Sequence, residues 1–537
     1  MGWMSPVIAD ENDLPALPPL TLATDQLSTL GQFEVNHFVF SGNTVFTDDE
    51  LQQQIKTYEN REITAEELQN ARYILTQFYV KQGYINSGAI IPDQKINDSH
   101  NIVINIIEGH LRDINVTGVS YVSNDYIVRR LDYSPDIVLN QNDLQQRLQL
   151  LQQNPLVDLF NAELGPGLKL GDAVLNLGIS EPKRPYDLKL SFNNHRAPSV
   201  GAYRAELEGT HYSVTGHGDR LQVRLGLTQG LKDYSFDYTV PLSFKQMEWS
   251  IFSNRSDSSV ISTPFNQLDI KSDSQTYGTK LKYPLFNQYK NNRYRTLDLA
   301  LSMEKRRSST SLLGRPYTFS VGAKEGVSRL SVVRFSQTWQ DRTAAQVLSA
   351  YSNFSLGIDS MNATINSGGI PDGEFFSWQG QFNWIRRLPQ VLQSQLSLRM
   401  GLQLTADRLL PLEKFSLGGV STVRGYRENQ FTFDRGWSAS LEWQIPVYYT
   451  HLLSKQNQGT GKYGQIYVAP FVDYGHGTNV GSDNSETIYS AGLGLLWVPN
   501  NNINARIYWG KTFKDLPEND DHDLQDEGIH FSLSITY

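Results

Sequence analysis

From about Tyr186 to the last residue, helical spacing is absent and alternating segments follow one another. Leu396, Leu398, Met400, Leu402 and Leu404 alternate with Gln395, Ser397, Arg399, Gly401 and Gln403. Trp437, Ala439, Leu441, Trp443 and Ile445 alternate with Ser438, Ser440, Glu442 and Gln444, and Phe531, Leu533, Ile535 and Tyr537 with Ser532, Ser534 and Thr536. A period of two places the apolar residues of each segment on one face of a strand. The opposite face carries charges, which a sandwich core would reject and a wet interior accepts. Strands of ~9–11 residues with one apolar face are what a transmembrane barrel needs. No apolar run approaches the ~18–20 residues of a membrane helix.

Composition agrees without deciding the matter. The chain has 9 Trp, 27 Tyr and 24 Phe, yet its mean hydropathy is -0.41. Lipid-facing and lumen-facing residues average out in a barrel, but a large soluble β protein could share these values. The expectation is a membrane β-barrel of about sixteen antiparallel strands, an even number as in bacterial barrels. Pro241, Pro284, Pro389, Pro446 and Pro499 each follow an even-numbered segment, where proline stops a strand because it cannot donate to the ladder. These connections are mostly short, Val447 to Lys462 excepted. The odd-numbered connections include the longest, such as Lys305 to Lys324 and Ala406 to Phe433. Both barrel ends then lie on one side, with the preceding modules.

Residues 33 to about 182 contain an internal repeat, offset by 76 residues from Gly42 to Gly118. Phe38, Phe40, Gly42, Phe46, Thr47, Leu51 and Ile55 align with Ile114, Val116, Gly118, Val122, Ser123, Ile127 and Leu131. Each unit reads as an alternating strand, a glycine turn, a helix opened by a Thr or Ser N-cap, a second helix and two closing strands. In the first unit the second helix runs from Ala65 to Lys81, with strands about Ile85 to Ile91 and Ile102 to Ile107. In the second they are about Gln141 to Gln153, Leu159 to Leu164 and Val174 to Ile179. The expected domains are 33–108, 109–183 and a barrel over 184–537. An extended chain can add a strand to such a sheet edge, with pockets beside it giving selectivity. Residues 1–32 read as a tether: Ser5-Pro6 starts a short helix, and Pro15, Pro18 and Pro19 end it in extended geometry.

One loop stands out. Phe415-Ser-Leu-Gly-Gly-Val-Ser-Thr-Val-Arg-Gly-Tyr426 lies in a long polar gap between two alternating segments. Its tip, Val423-Arg424-Gly425-Tyr426, sets a fixed charge beside a glycine, and Phe471-Val-Asp473-Tyr-Gly475 supplies a carboxylate on a later strand. In Ile466 to Tyr474, Ile466, Val468, Val472 and Tyr474 share one parity, so Asp473 faces the lumen unless a one-residue bulge reverses it. An Arg424–Asp473 pair inside a lumen would be partly desolvated and stronger than a surface pair, typically worth ~0–1 kcal/mol.

The V-R-G-Y loop followed by F-x-D-x-G resembles the two-partner secretion transporters (TpsB family). These belong to the outer-membrane superfamily in which periplasmic POTRA domains precede a β-barrel. Asn154-Pro155 through Leu164-Gly-Pro-Gly167, Phe192-Asn193-Asn194, Asp434-Arg435-Gly436 and the terminal aromatic Tyr537 carry the same resemblance. It implies a plug helix and linker over 1–32, a lumen-folding loop over 406–433, and two POTRA-like domains that capture an unfolded client. The implied partners are a large secreted exoprotein (an adhesin, a cytolysin or a contact-dependent toxin), outer-membrane lipid, and the barrel assembly machinery during biogenesis. An outer-membrane protein assembly factor is the alternative from the same superfamily; two repeat units favour the transporter.

Other classes lose ground on composition. A formal net charge of -9 leaves no basic footprint for nucleic acid. Cysteine is absent, so no disulfide or thiolate metal site forms. Met1-Gly-Trp-Met4 lacks a basic region followed by an apolar core, so the leader of an exported form is expected to have been removed. HExxH, CxxC, GxSxG and a phosphate-binding glycine loop are missing. Asp521-His522-Asp523 reads as a solvated acidic loop, and His195, His211 and His217 have no ligand spacing. No cofactor and no enzymatic activity are expected. Transport energy is expected to come from outside the chain, from the client folding beyond the membrane.

Overall fold

A computed structural model describes residues 27, 31–96, 98–242, 246–450, 464–514, 516 and 521–537. The tether expected over 1–32 lies almost wholly outside the described residues. By contacts the chain divides into two compact units. One holds the described residues up to Asn115 with Tyr133–Gln145 and Ala162–Leu177; the other holds Val116–Asp132, Gln146–Asn161 and Gly178–Tyr537.

The first series comprises β1 (Gln32–Val35), β2 (His37–Ser41), α1 (Asp48–Ile55), β3 (Arg61–Thr64), α2 (Ala65–Lys81), β4 (Gly88–Ile90) and β5 (Asn101–Ile107). β2 pairs parallel with β5, and β4 pairs antiparallel with β5. A short β1–β3 ribbon, unexpected from the sequence, stands beside this sheet. Thr47 and Thr64 each close a capping box, with Glu50 and Glu67, satisfying the first orphan N–H groups of α1 and α2. α2 buries Leu68, Ala71, Leu75 and Tyr79, which recur at helical spacing against the β2–β5 core.

The second series is β6 (Leu111–Thr117), α3 (Asn124–Leu131), α4 (Gln141–Leu151), β7 (Leu159–Pro166) and β8 (Ala173–Ser180), with sheet order β6–β8–β7. The repeat is physical as well as textual. Gly42 has φ +84°, and a Cβ there would meet Ile106 O at 2.5 Å; Gly118 has φ +83°, and a Cβ there would meet Ile179 O at 2.2 Å. Only glycine fits either turn. Glu108 accepts from the backbone N–H of Thr44 and Val45, both at 2.9 Å. Glu181 accepts from Ser120 N at 2.7 Å and Tyr121 N at 2.9 Å, one repeat later.

Sixteen antiparallel strands then close a barrel. They are β9 (Tyr186–Asn193), β10 (Arg204–His211), β11 (Arg220–Leu227), β12 (Leu231–Pro241), β13 (Glu248–Ser259), β14 (Lys271–Lys290) and β15 (Arg293–Leu312). After a two-residue strand, β16 (Arg315–Pro316), come β17 (Val327–Arg342), β18 (Gln346–Gly357), β19 (Phe375–Leu388) and β20 (Ser394–Thr405). A lumen hairpin, β21 (Phe415–Leu417) and β22 (Phe431–Phe433), precedes β23 (Arg435–Thr450), β24 (Gly464–Thr478), β25 (Ser485–Val498), β26 (Ile503–Thr512) and β27 (Ile529–Thr536). β27 pairs with β9, from Ser532↔Asn193 to Thr536↔Lys189, and so removes the sheet edges. Exposed apolar residues alternate along the outer face: Leu188, Leu190 and Phe192 on β9, Leu493, Leu495 and Trp497 on β25, Leu533 and Ile535 on β27.

Two sequence expectations need correction. Pro284 and Pro446 do not end strands. Each lies inside one, at a register shift between Pro284 and Phe286 in β14 and between Pro446 and Tyr448 in β23. At a bulge the ladder is already interrupted, so the missing N–H costs little. The connection placed at Lys305 to Lys324 is also shorter, because β15 continues to Leu312. β14 and β15, at 20 residues each, outrun the ~25 Å apolar band of a barrel.

Candidate functional site

The segment joining β20 to β23 enters the lumen as a strap. β21 and β22 pair antiparallel, Phe415 opposite Phe433 and Leu417 opposite Phe431. The hairpin lies on a strip of glycines. A Cβ on Gly436 would fall 2.5 Å from Phe415 Cδ1, one on Gly475 2.4 Å from Leu417 Cδ1, and one on Gly477 2.0 Å from Phe433 Cδ2. The wall of β23 and β24 is therefore bare backbone where the strap presses on it. Leu417, Val423, Tyr426, Phe433 and Ile488 form a small core at this contact.

At the strap's tip, Arg424 is 1% exposed. Its Nε donates to Asp473 Oδ2 and its Nη2 to Asp473 Oδ1, both at 2.8 Å, in a two-pronged pair. The Arg424 backbone N–H also donates to Asp473 Oδ2, at 2.9 Å. Nη1 donates to Glu442 and Nη2 to Ser440 Oγ. The guanidinium carbon lies 3.6 Å from the Phe471 ring centre and 4.7 Å from that of Tyr508. The planar cation is thus hydrogen-bonded at its edge and covered on its faces, which suits arginine and not lysine.

The motif beside it is explained position by position. Phe471 stacks on the guanidinium, Asp473 grips it, and Gly475 leaves room for Leu417 and Val423. Asp473 is fully buried on the inner face, while Val472 and Tyr474 point outward. The register shift at Pro446 falls on β23, so the alternation of β24 is undisturbed. Gly425 has φ +92°, and a Cβ on it would lie 2.7 Å from Gly510 O. Its N–H donates to His530 Nε2 at 3.2 Å, and Lys514 N donates to Tyr426 Oη at 3.2 Å.

The structure brings Val423, Arg424, Gly425, Tyr426, Phe471, Asp473 and Gly475 together. Sequence reasoning missed Glu442, Ser440, Tyr508 and His530 as partners. Glu442 had a signal: it is the one acid on the polar face of β23, among Ser438, Ser440 and Gln444. A second group was missed altogether. Glu413, on the strap's first arm, pairs with Arg306 on β15 and Arg334 on β17.

Arg424 and its two carboxylates form a static lock. Breaking one side of a buried pair costs about 3–5 kcal/mol, because the other side is left unpaired. Among the described residues no group of three or more His, Asp or Glu is placed to hold a metal ion.

Residues 171–496, more than half of the chain, match the family described as haemolysin secretion/activation protein ShlB/FhaC/HecB, and residues 33–109 match the ShlB-type POTRA domain. The chain is 22% identical over 464 residues to the heme/hemopexin transporter protein HuxB of Haemophilus influenzae, covering 84% of this chain and 78% of that protein. It is 23% identical over 404 residues to the outer membrane transporter CdiB of Dickeya dadantii (strain 3937), covering 73% and 69%. Among solved structures, CdiB from Escherichia coli is similar with a TM-score of 0.69 at 19% identity, covering 97% of this chain and 93% of that one. BamA from Haemophilus ducreyi lacking POTRA domains 1-3 is similar with a TM-score of 0.53 at 15% identity, covering 94% and 100%. At these identities the structural likenesses speak to fold.

Proposed function

The chain belongs to the haemolysin secretion/activation protein family ShlB/FhaC/HecB, and from that premise we propose how its strap and modules serve export. It is a two-partner secretion transporter of the outer membrane, with its POTRA domains in the periplasm and a partner exoprotein as cargo. The barrel-assembly alternative is the weaker reading: the family match names a secretion protein, and the likeness to BamA is lower than that to CdiB.

The finer reading concerns route and capture. The domains 33–108 and 109–183 hold the unfolded cargo by adding it as a strand to a sheet edge. The cargo then passes through the lumen in extended form, without catalysis or nucleotide hydrolysis. Outer-membrane lipid surrounds the apolar band, and barrel assembly machinery inserts the chain. HuxB is named as a heme/hemopexin transporter and CdiB only as an outer membrane transporter, so the proposal commits to no more than one large secreted protein as cargo.

The observation that carries this reading is the buried Arg424–Asp473–Glu442 lock, which ties the segment between β20 and β23 to the inner wall of the barrel. The test is to remove this chain from its host and follow the large secreted proteins. Loss of one of them from the medium, restored by the wild-type chain and not by Arg424→Ala at equal outer-membrane abundance, is expected. Normal secretion by Arg424→Ala would remove the strap from the route.

A further inference from the structure

We propose that the strap is held by a second charge latch of opposite polarity, in which Glu413 is the positioning residue that fixes the first arm against β15 and β17. At the tip the strap supplies a cation and the wall supplies anions. At the arm the strap supplies an anion and the wall supplies cations. Glu413 is 4% exposed. Arg334 Nη2 donates to its two oxygens at 2.8 and 3.1 Å, and Arg306 Nη1 donates to Oε1. Arg334 is itself braced by Glu304, 3.1 Å away, and by Ser355.

The arm has its own small core. Leu409 and Leu410 are fully buried against Leu330, Val332 and Phe375, apart from the cluster beneath the tip. The neck is tied down separately. Gln403 Nε2 donates to Glu413 O at 3.0 Å and to Asp434 O at 2.9 Å, and Asp434 accepts from Leu409 N at 3.0 Å. β18, β19 and β20 separate the wall strands of the two latches, so the strap is fixed in two sectors of the lumen.

The attachment to β20 and β23 sets the strap's direction, and the opposite polarities disfavour cross-pairing, which would bring Glu413 to Asp473 and Glu442 and Arg424 to Arg306 and Arg334. The two latches can also release separately. Neutralising Glu413 weakens the hold on the arm, leaving its apolar core and the Gln403 and Asp434 ties, while Arg424 keeps the tip in place, so the lumen opens in part and more often.

This inference rests on the lumen being the export route, but its test needs no cargo and can fail by itself. The chain has no cysteine, so Leu410→Cys gives a single thiol that the closed arm protects. The purified full-length protein would be labelled with a membrane-impermeant maleimide and recorded in planar bilayers. Glu413→Gln is expected to raise both the labelling rate and the frequency of large openings about tenfold or more, since it breaks a buried pair. Glu413→Asp, which keeps the charge on a shorter stem, is expected to stay closer to the parent in both readouts than Glu413→Gln, which keeps the shape and loses the charge. Unchanged labelling and conductance in Glu413→Gln would overturn the latch. So would a Glu413→Asp variant no closer to the parent than Glu413→Gln, because an effect through packing alone would favour the isosteric glutamine over the shorter aspartate. If Glu413→Gln fails to assemble, Arg306→Gln weakens the same contact from the wall side and is judged by the same outcomes.

Discussion

The guanidinium of Arg424 has exchanged its water for two carboxylates, a hydroxyl and two aromatic faces. Removing it takes from Asp473 and Glu442 the cation that hydrogen-bonds to both and leaves Arg399 as the charge near them, a change on the order of 3–5 kcal/mol at the strap. None of these contacts belongs to the strand ladder. Arg424→Ala is therefore expected to give a folded barrel of normal abundance that secretes nothing, read by heat-modifiability on gels and by cargo in the medium. Arg424→Lys keeps the charge and loses the fork, and should fall between the two. Gly475→Val tests the other half of the contact. Its side chain would start 2.4 Å from Leu417 and 2.9 Å from Val423, so it should displace the hairpin at a cost of about 1–3 kcal/mol. The check is protease sensitivity of the strap in intact vesicles; a strap as resistant as in the parent would mean that the glycine strip is not what seats it.

At the scale of the element, the repeat modules depend on a carboxylate holding a turn. Burial works against the ionised form of Glu108, but hydrogen bonds from Thr44 Oγ1, Val45 N, Thr44 N and Tyr79 Oη outweigh it and hold its carboxyl below the usual range. A carboxyl lowered in the folded state stabilises it fully above the unfolded value of about 4.3, and that contribution disappears as pH falls through the lowered folded value. Protection of the Thr44 and Val45 amides from hydrogen exchange should thus drop on acidification in the parent. Glu108→Gln should show weaker protection at neutral pH with little further loss in acid; an unaltered pH profile would show that another group governs the turn. The helices add a smaller effect. Thr47→Ala removes half of a capping box and should destabilise α1 by about 1 kcal/mol, read as faster exchange in its first turn.

For the whole molecule, closure rests on the β27–β9 seam, which has five paired positions. Export through the lumen leaves this seam shut, whereas insertion of other barrels would need it to part. Ser191 and Ser534 face each other across the seam, at a separation typical of opposed cross-strand residues and close to disulfide reach. A Ser191→Cys/Ser534→Cys disulfide is expected to leave secretion unchanged under oxidising and reducing conditions alike. Secretion that returns only on reduction would assign the route to the seam.

The sequence by itself determined what near neighbours determine. A period of two along each strand placed Asp473 inside and Val472 outside, because successive residues of a strand must point oppositely. A helical period located α2 to the residue, and the offset from Gly42 to Gly118 marked two turns that admit only glycine. The tertiary structure decided whatever depends on how strand offsets accumulate around a closed barrel. Glu413 meets Arg306 across 107 residues of chain, and Gly425 meets His530 across 105. No local period encodes such distances; they follow from register, from the bulges beside Pro284 and Pro446, and from closure. The upper reaches of β14 and β15 were illegible for a related reason. From Lys305 to Ser311 the residues are polar on both faces, so the strand continues with no alternation to announce it. Hydrogen bonding to neighbouring strands, and not burial, extends it there.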